Sequence, residues 1–268
     1  LDQLESGQIH RFQLHIPGNS LGTAWRLPII VAKGVKDGPV LGITAAVHGD
    51  ELNGLSSIFK LFAELNPEEM SGTLVAVPIY NVPGYMSKQR YFIDRNDLNR
   101  FMPGRRKGNP AEIYNYHLTH KIIKKFNYLM DLHTASAGKV NSLYIRADLE
   151  NAECKTLAYL QNPQIIVQKY DAEGTLRGWA NTQNIPSITV EIGNPNTFQH
   201  DLIDDTLDGI KNTMRHLKMI EGPVRDFTGD AIICDHSYWI NSYTGGIIDV
   251  LPKLTQKIKK GELIAKVY

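Results

Sequence analysis

The sequence predicts an α/β protein: a mostly parallel mixed sheet flanked by helices, with a small, incomplete all-β appendage at the C-terminus. Three observations carry this expectation. Val40 to Val47 and Thr73 to Ile79 are short continuous apolar runs, the pattern of strands covered on both faces. After the first run the apolar residues change to helical spacing, at Leu52, Leu55, Phe59 and Phe62. Beyond Glu221-Gly222-Pro223 helical spacing stops and only short β-like pieces remain. The expected division is residues 1–222 for the α/β domain and 223–268 for the appendage.

The elements follow in order. Residues 8–33 read as an extended hairpin, in which Phe12, Leu14 and Ile16 alternate, Pro17-Gly18-Asn19 turns, and Leu27 to Ala32 returns. Gly34 to Pro39 is a turn-rich break before the first buried strand. Residues 81–110 are irregular and rich in Gly, Pro, Asn, Asp and Arg, and loops of that length in compact domains are usually functional or disordered. Asn109-Pro110 is a helix start, an N-cap followed by proline at the first helical position, with Ile113, Leu118, Ile122 and Phe126 as the apolar face. Tyr128 to His133, Gln164 to Gln168 and Ser187 to Ile192 then read as strands, and a last helix covers about 201–219. Such alternation builds parallel sheets, whose ligand sites lie beyond the carboxyl ends of the strands. The appendage offers Ile232-Ile233-Cys234, Tyr238-Trp239-Ile240, Gly246-Ile247-Ile248 and Leu263-Ile264-Ala265 as short strands.

Composition narrows the function. The chain has 268 residues, 42% of them hydrophobic and 21% charged, ordinary for a globular protein with a full core. Its net charge of +1 provides no global attraction for nucleic acid or an anionic membrane. No apolar stretch approaches the roughly 20 residues that span a bilayer, and the N-terminus is polar rather than signal-like. The two cysteines, Cys154 and Cys234, match no zinc-finger or redox spacing, so a cytoplasmic location is the simpler expectation. The chain opens on Leu1 rather than methionine, which is expected of a trimmed N-terminus.

Chemistry gathers at the strand ends. His48 and Glu51 follow the run that ends at Val47, and His133 closes the run from Tyr128. Two histidines and a glutamate form the three-ligand set that leaves a zinc ion one open position, the mark of a catalytic rather than a structural site. H-x-x-E alone is a short match, and its plain alternative is a surface histidine with Glu51 favouring a helix dipole. His133 shifts the balance, because it ends a buried strand on the same expected side of the sheet. Asp131 shares its strand face. Glu191 ends the apolar run Ile188-Thr189-Val190, a costly place for a carboxylate without a task and a sensible one for a general base. The tract from Arg90 to Arg100 holds three arginines, Arg90, Arg95 and Arg100. They either pin the loop through Asp94 and Asp97 or hold a substrate carboxylate and polarise a carbonyl. Arg177, in a Gly-flanked loop, reads equally as a solvated surface residue or a substrate contact. His10, His15, His117, His120, His200, His216 and His236 have no partner at ligand spacing.

The order His48-Gly49-Asp50-Glu51, Asn96-Asp97-Leu98-Asn99-Arg100, Asp131-Leu132-His133-Thr134, Val190-Glu191-Ile192-Gly193 resembles the succinylglutamate desuccinylase/aspartoacylase family, over about residues 25–268. These are carboxypeptidase-like zinc enzymes that hydrolyse N-acyl amino acids and related amides. The resemblance implies one zinc ion per chain on His48, Glu51 and His133, with Glu191 as base and proton shuttle. It further implies Arg90 near the scissile carbonyl, with Arg95 as its rival, and Asn99 with Arg100 on a substrate carboxylate. The C-terminal piece from Gly245 resembles half of a lipoyl- or biotinyl-like barrel. It lacks the exposed Met-Lys carrier turn, so a packing or oligomer role is expected and a homo-oligomer is compatible with it.

The expected partner is a small N-acyl amino acid or similar carboxylate-bearing amide, with neither nucleic acid nor membrane involved. Two rival readings share the residues. One is a zinc carboxypeptidase acting on short peptides. The other is a non-catalytic zinc-binding protein, against which the intact Glu191 argues. A sugar or nucleotide module would need a phosphate-cradling Gly-rich loop, and none is present.

Overall fold

Strand alternation sorts the interior into two apolar clusters, one on each face of a single nine-stranded sheet. The computed structural model describes residues 1–18, 22–136, 138–169, 174–225, 231–238 and 240–268. Asn19 of the expected turn and Trp239 of one expected strand lie outside the described residues.

The strands are β1 (Gln8–Ile16), β2 (Trp25–Lys33), β3 (Lys36–Ala45), β4 (Ser71–Val77), β5 (Tyr128–His133), β6 (Leu143–Ala147), β7 (Ile165–Gln168), β8 (Ser187–Ile192) and β9 (Ile232–Cys234). Their order in the sheet is β1-β2-β4-β3-β5-β8-β6-β7-β9. β4, β3, β5 and β8 run parallel, as the buried apolar runs foretold. β1 and β2 form the expected antiparallel hairpin at one edge. Several features differ from the sequence reading. The turn-rich break at 34–39 is a register shift inside β3 between Lys36 and Val40. β6, absent from the sequence reading, runs antiparallel to β8. Ile232–Cys234, expected in the appendage, instead pairs in parallel with β7 at the far edge of the main sheet. A separate antiparallel hairpin closes the chain, β10 (Ile248–Val250) with β11 (Ala265–Val267).

Helices α1 (Asn53–Glu64), α4 (Ala152–Tyr159) and α6 (His200–His216) cover one face, and α3 (Pro110–Lys121) and α5 (Leu176–Thr182) the other; α2 (Val82–Met86) is a short turn in the loop after β4. α6 places Ile203, Leu207, Ile210 and Met214 at helical spacing against Ile58, Leu61 and Phe62 of α1 and the sheet. Burying each large apolar side chain contributes roughly 1.5–3 kcal/mol. α3 starts as foreseen, with a full capping box between Asn109 and Glu112. Leu118 is buried as expected, but Ile113 is not, and the buried face of the helix also takes in Tyr114, Asn115 and Thr119. The two polar members are admitted because Asn115 donates to Leu98 O and Thr119 to Pro103 O. The helix ends at Lys121, so Phe126 reaches the core from beyond it.

Residue parity positions the chemistry. Met130, Leu132, Ile188, Val190 and Ile192 face the α1/α6 cluster. Asp131 and His133 of β5, and Thr189 and Glu191 of β8, therefore share the opposite face. The β5–β8 register sets His133 directly beside Glu191.

Candidate active site

The His48-Gly49-Asp50-Glu51 segment leaves β3 at the carboxyl end of the parallel strands. Gly49 is required there, because a Cβ would fall 2.0 Å from the carbonyl carbon of Gly84. This close approach turns the chain so that His48 and Glu51 face His133. His48 Nδ1 lies 2.7 Å from Glu51 Oε1, His133 Nδ1 2.9 Å from Glu51 Oε2, and the two Nδ1 atoms 3.3 Å apart. All three side chains are buried, and among the described residues they are the one group whose donor atoms converge as a metal site. Zinc bonds of 2.0–2.1 Å in a tetrahedron separate neighbouring ligands by about 3.3 Å. The two nitrogens already stand at that spacing, with a Glu51 oxygen beside each. The donor set and its geometry fit a divalent ion.

Each histidine is gripped from its other nitrogen. Asp131 Oδ2 lies 2.8 Å from His133 Nε2 and is itself held by Thr44 Oγ1 at 2.6 Å from Oδ1. Asp97 Oδ1 lies 3.1 Å from His48 Nε2. Such outer carboxylates select the tautomer whose inner nitrogen is free to ligate. Glu51 also accepts from the Thr134 amide at 3.0 Å.

Electrostatics favour positive charge between these atoms. Burial would raise the Glu51 pKa, but the charges and hydrogen bonds of His48 and His133 overcome it and hold the carboxyl at about 2. Burial would lower the two histidines, yet Glu51, with Asp97 for His48 and Asp131 for His133, raises both. Glu191 is different: burial pushes its carboxyl up, and the opposing charges of His133 and Arg146 do not cancel that.

The sequence profile of the succinylglutamate desuccinylase/aspartoacylase catalytic domain matches residues 37–217, a span that contains every residue of this cluster. The chain belongs to the succinylglutamate desuccinylase/aspartoacylase family. Among its relatives, an N-α-acetyl-L-2,4-diaminobutyric acid deacetylase of Halomonas elongata is 26% identical, matching 98% of this chain and 80% of its own length. Two solved structures share the fold, each with a TM-score of 0.87 over 99% of this chain and 85% of theirs. One is a succinylglutamate desuccinylase from Silicibacter sp. TM1040, 23% identical. The other is the ectoine utilization protein EutE (DoeB) from Ruegeria pomeroyi in a product-bound form, 21% identical.

The arginines of the long loop separate clearly in this family member. Arg90 enters the cluster, donating to Glu51 Oε1 at 3.3 Å, Ser136 Oγ at 2.8 Å and Asp97 Oδ2 at 2.9 Å. Arg95 is exposed, at a positive φ of 64°. Asn99 and Arg100 sit on a short 3₁₀ turn capped by Asp97. Asn99 Oδ1 accepts from the Leu176 amide at 2.7 Å, tying that turn to the start of α5. Arg100 is exposed, and its guanidinium donates to Asn99 O. Arg177 corrects its sequence reading. It lies on α5 rather than in a loop, is buried rather than solvated, and donates to Lys169 O.

Sequence reading passed over Asp97 as anything but a loop pin, and missed Ser136 and Arg146 entirely. Arg146 donates from Nε to Glu191 Oε1 at 3.0 Å. Its available signal was the alternation Leu143-Tyr144-Ile145-Arg146-Ala147, which puts the two polar residues on one strand face.

Proposed function

We propose that this protein is a zinc-dependent amidohydrolase that cleaves the acyl–nitrogen bond of a small N-acyl amino acid, with one zinc ion per chain on His48, Glu51 and His133. The observation that carries the reading is the convergence, at the ends of β3, β5 and β8, of a three-donor cluster, a raised carboxyl and an arginine. Family membership and the deacetylase relative support the substrate class. A bound zinc ion would supply Lewis-acid chemistry, acidifying a water molecule and polarising a carbonyl.

The protein's own groups divide the remaining work. Asp131 and Asp97 keep the imidazoles oriented. Glu191, whose carboxyl burial pushes above its ordinary value, takes the proton of the attacking water and returns it to the leaving amine. Arg90 donates to the acyl oxygen as charge develops there, an interaction typically worth about 3–4 kcal/mol for one good donor. Asn99, Arg100 and Arg177 hold the substrate carboxylate, with the Asn99–Leu176 bond keeping the two segments in register.

The test is a hydrolysis screen of zinc-loaded protein over N-acetyl-, N-succinyl- and other N-acyl amino acids, including N-α-acetyl-L-2,4-diaminobutyrate, alongside short peptides and a metal analysis. Turnover of an N-acyl amino acid, and a Glu191→Gln variant that keeps zinc but loses nearly all of it, is the expected result. Cleavage of peptides alone would make the protein a carboxypeptidase, and metal-free, inactive protein would refute the proposal.

A further inference from the structure

β6 carries a polar stripe that the reaction outlined above does not use. Tyr144 and Arg146 alternate with Leu143, Ile145 and Ala147, which belong to the core on the opposite face. The β6–β8 register places Tyr144 beside Glu191 and Arg146 beside Thr189, so both side chains lie on the face that carries Glu191. The Arg146 guanidinium is locked on more than one side. Nε donates to Glu191 Oε1 at 3.0 Å, Nη2 donates to the Tyr144 hydroxyl, and Cζ stands 5.2 Å from the centre of the Tyr144 ring. Asn141 Nδ2 approaches the other carboxylate oxygen at 3.5 Å.

We propose that Arg146 is a positioning residue that aims the Glu191 carboxylate and holds it in one rotamer for proton transfer. This inference rests on the reading of Glu191 as the base. Glu191 is one of the buried side chains, with no backbone amide bonded to its carboxylate among the described contacts, so a neighbour must fix its direction. Arg146 suits the task because its planar fork delivers a donor in a set orientation, which a lysine's rotating ammonium does not. A role as substrate receptor fits less well, since Nε and Nη2 already have protein partners.

The test uses the whole 268-residue chain, zinc-loaded, as wild type, Arg146→Met, Arg146→Lys and Glu191→Gln, assayed on the best-hydrolysed member of the N-acyl amino acid panel with zinc content measured in parallel. Misaiming a base by about 1 Å costs on the order of 100-fold. Arg146→Met should therefore lose about that much in kcat, with KM within about threefold and zinc content unchanged. Arg146→Lys should recover part of the loss, and it stands in if the methionine variant does not fold. Unchanged kcat in both variants overturns the proposal, as does a rise in KM with kcat kept, which would make Arg146 a substrate contact. Loss of zinc from either Arg146 variant overturns it too, by placing the effect on the ligands. Full activity in Glu191→Gln removes the base assignment itself, and the proposal with it; that result is distinguishable because it does not depend on Arg146.

Discussion

Asp131 offers the sharpest test of how the cluster is built. Its carboxylate is fully buried, lies 2.8 Å from His133 Nε2, and accepts from Thr44 across the β3–β5 pairing. The carboxylate acts as an acceptor towards His133 and so holds a proton on Nε2, which makes Nδ1, facing Glu51 and His48, the nitrogen that would ligate. Asp131→Asn preserves shape and can still accept from Thr44 through its Oδ1. Its amide nitrogen then meets His133 Nε2 as a donor, which favours the tautomer with the proton on Nδ1. That proton must be displaced before the nitrogen can ligate. Outer carboxylates of this kind typically contribute 10–100-fold in metal affinity, or about 1.4–2.7 kcal/mol. The variant should therefore bind zinc 10–100-fold more weakly in a chelator competition titration, with its fold intact by circular dichroism. Zinc affinity equal to wild type would refute the tautomer argument.

Three further predictions follow from particular contacts. Gly49→Ala drives a Cβ into the Gly84–Tyr85 backbone, so it should cost about 1–3 kcal/mol in thermal denaturation and also lower zinc content by displacing His48. Asn109→Ala breaks the capping box of α3 and should cost about 1 kcal/mol, lowering Tm by roughly 2–4 °C with turnover unchanged, because no site residue lies on that helix. Glu191 has a pKa raised in the fold above its unfolded value of about 4.3. A raised carboxyl stabilises the fold below the unfolded pKa, and that contribution is lost as pH rises through the folded value. Metal-free Glu191→Gln should thus be more stable than wild type at pH 8, with the difference shrinking towards pH 4; thermal scans across that range would show the reverse trend if the sign is wrong.

Much of the site was legible because its residues interrupt strong local patterns. His48, His133 and Glu191 each close an apolar run, and a charged or ring-nitrogen side chain at the end of a buried strand costs stability unless it has partners. The chain signals at Asn109-Pro110 and the alternation of β1 were equally local, and both elements formed where expected. Other features had no local signature. The polar members of the buried α3 face were not legible, because Asn115 and Thr119 are buried only by virtue of carbonyl acceptors on a distant loop. Arg90 and Arg95 are five positions apart in one tract, and nothing in their surroundings distinguishes them until Asp97 and Ser136 are seen beside Arg90.

The sequence by itself determined most of the strongly patterned strands and helices and which residue types end them, since hydrophobic period and capping chemistry are properties of a few neighbouring residues. Tertiary structure decided who meets whom. His48 and His133, 85 positions apart, converge only because β3 and β5 are adjacent and parallel. His133 meets Glu191, and Glu191 meets Arg146, only because β8 lies between β5 and an antiparallel β6. Strand order is settled by competition among pairings across the whole chain, so no short window of residues can encode it.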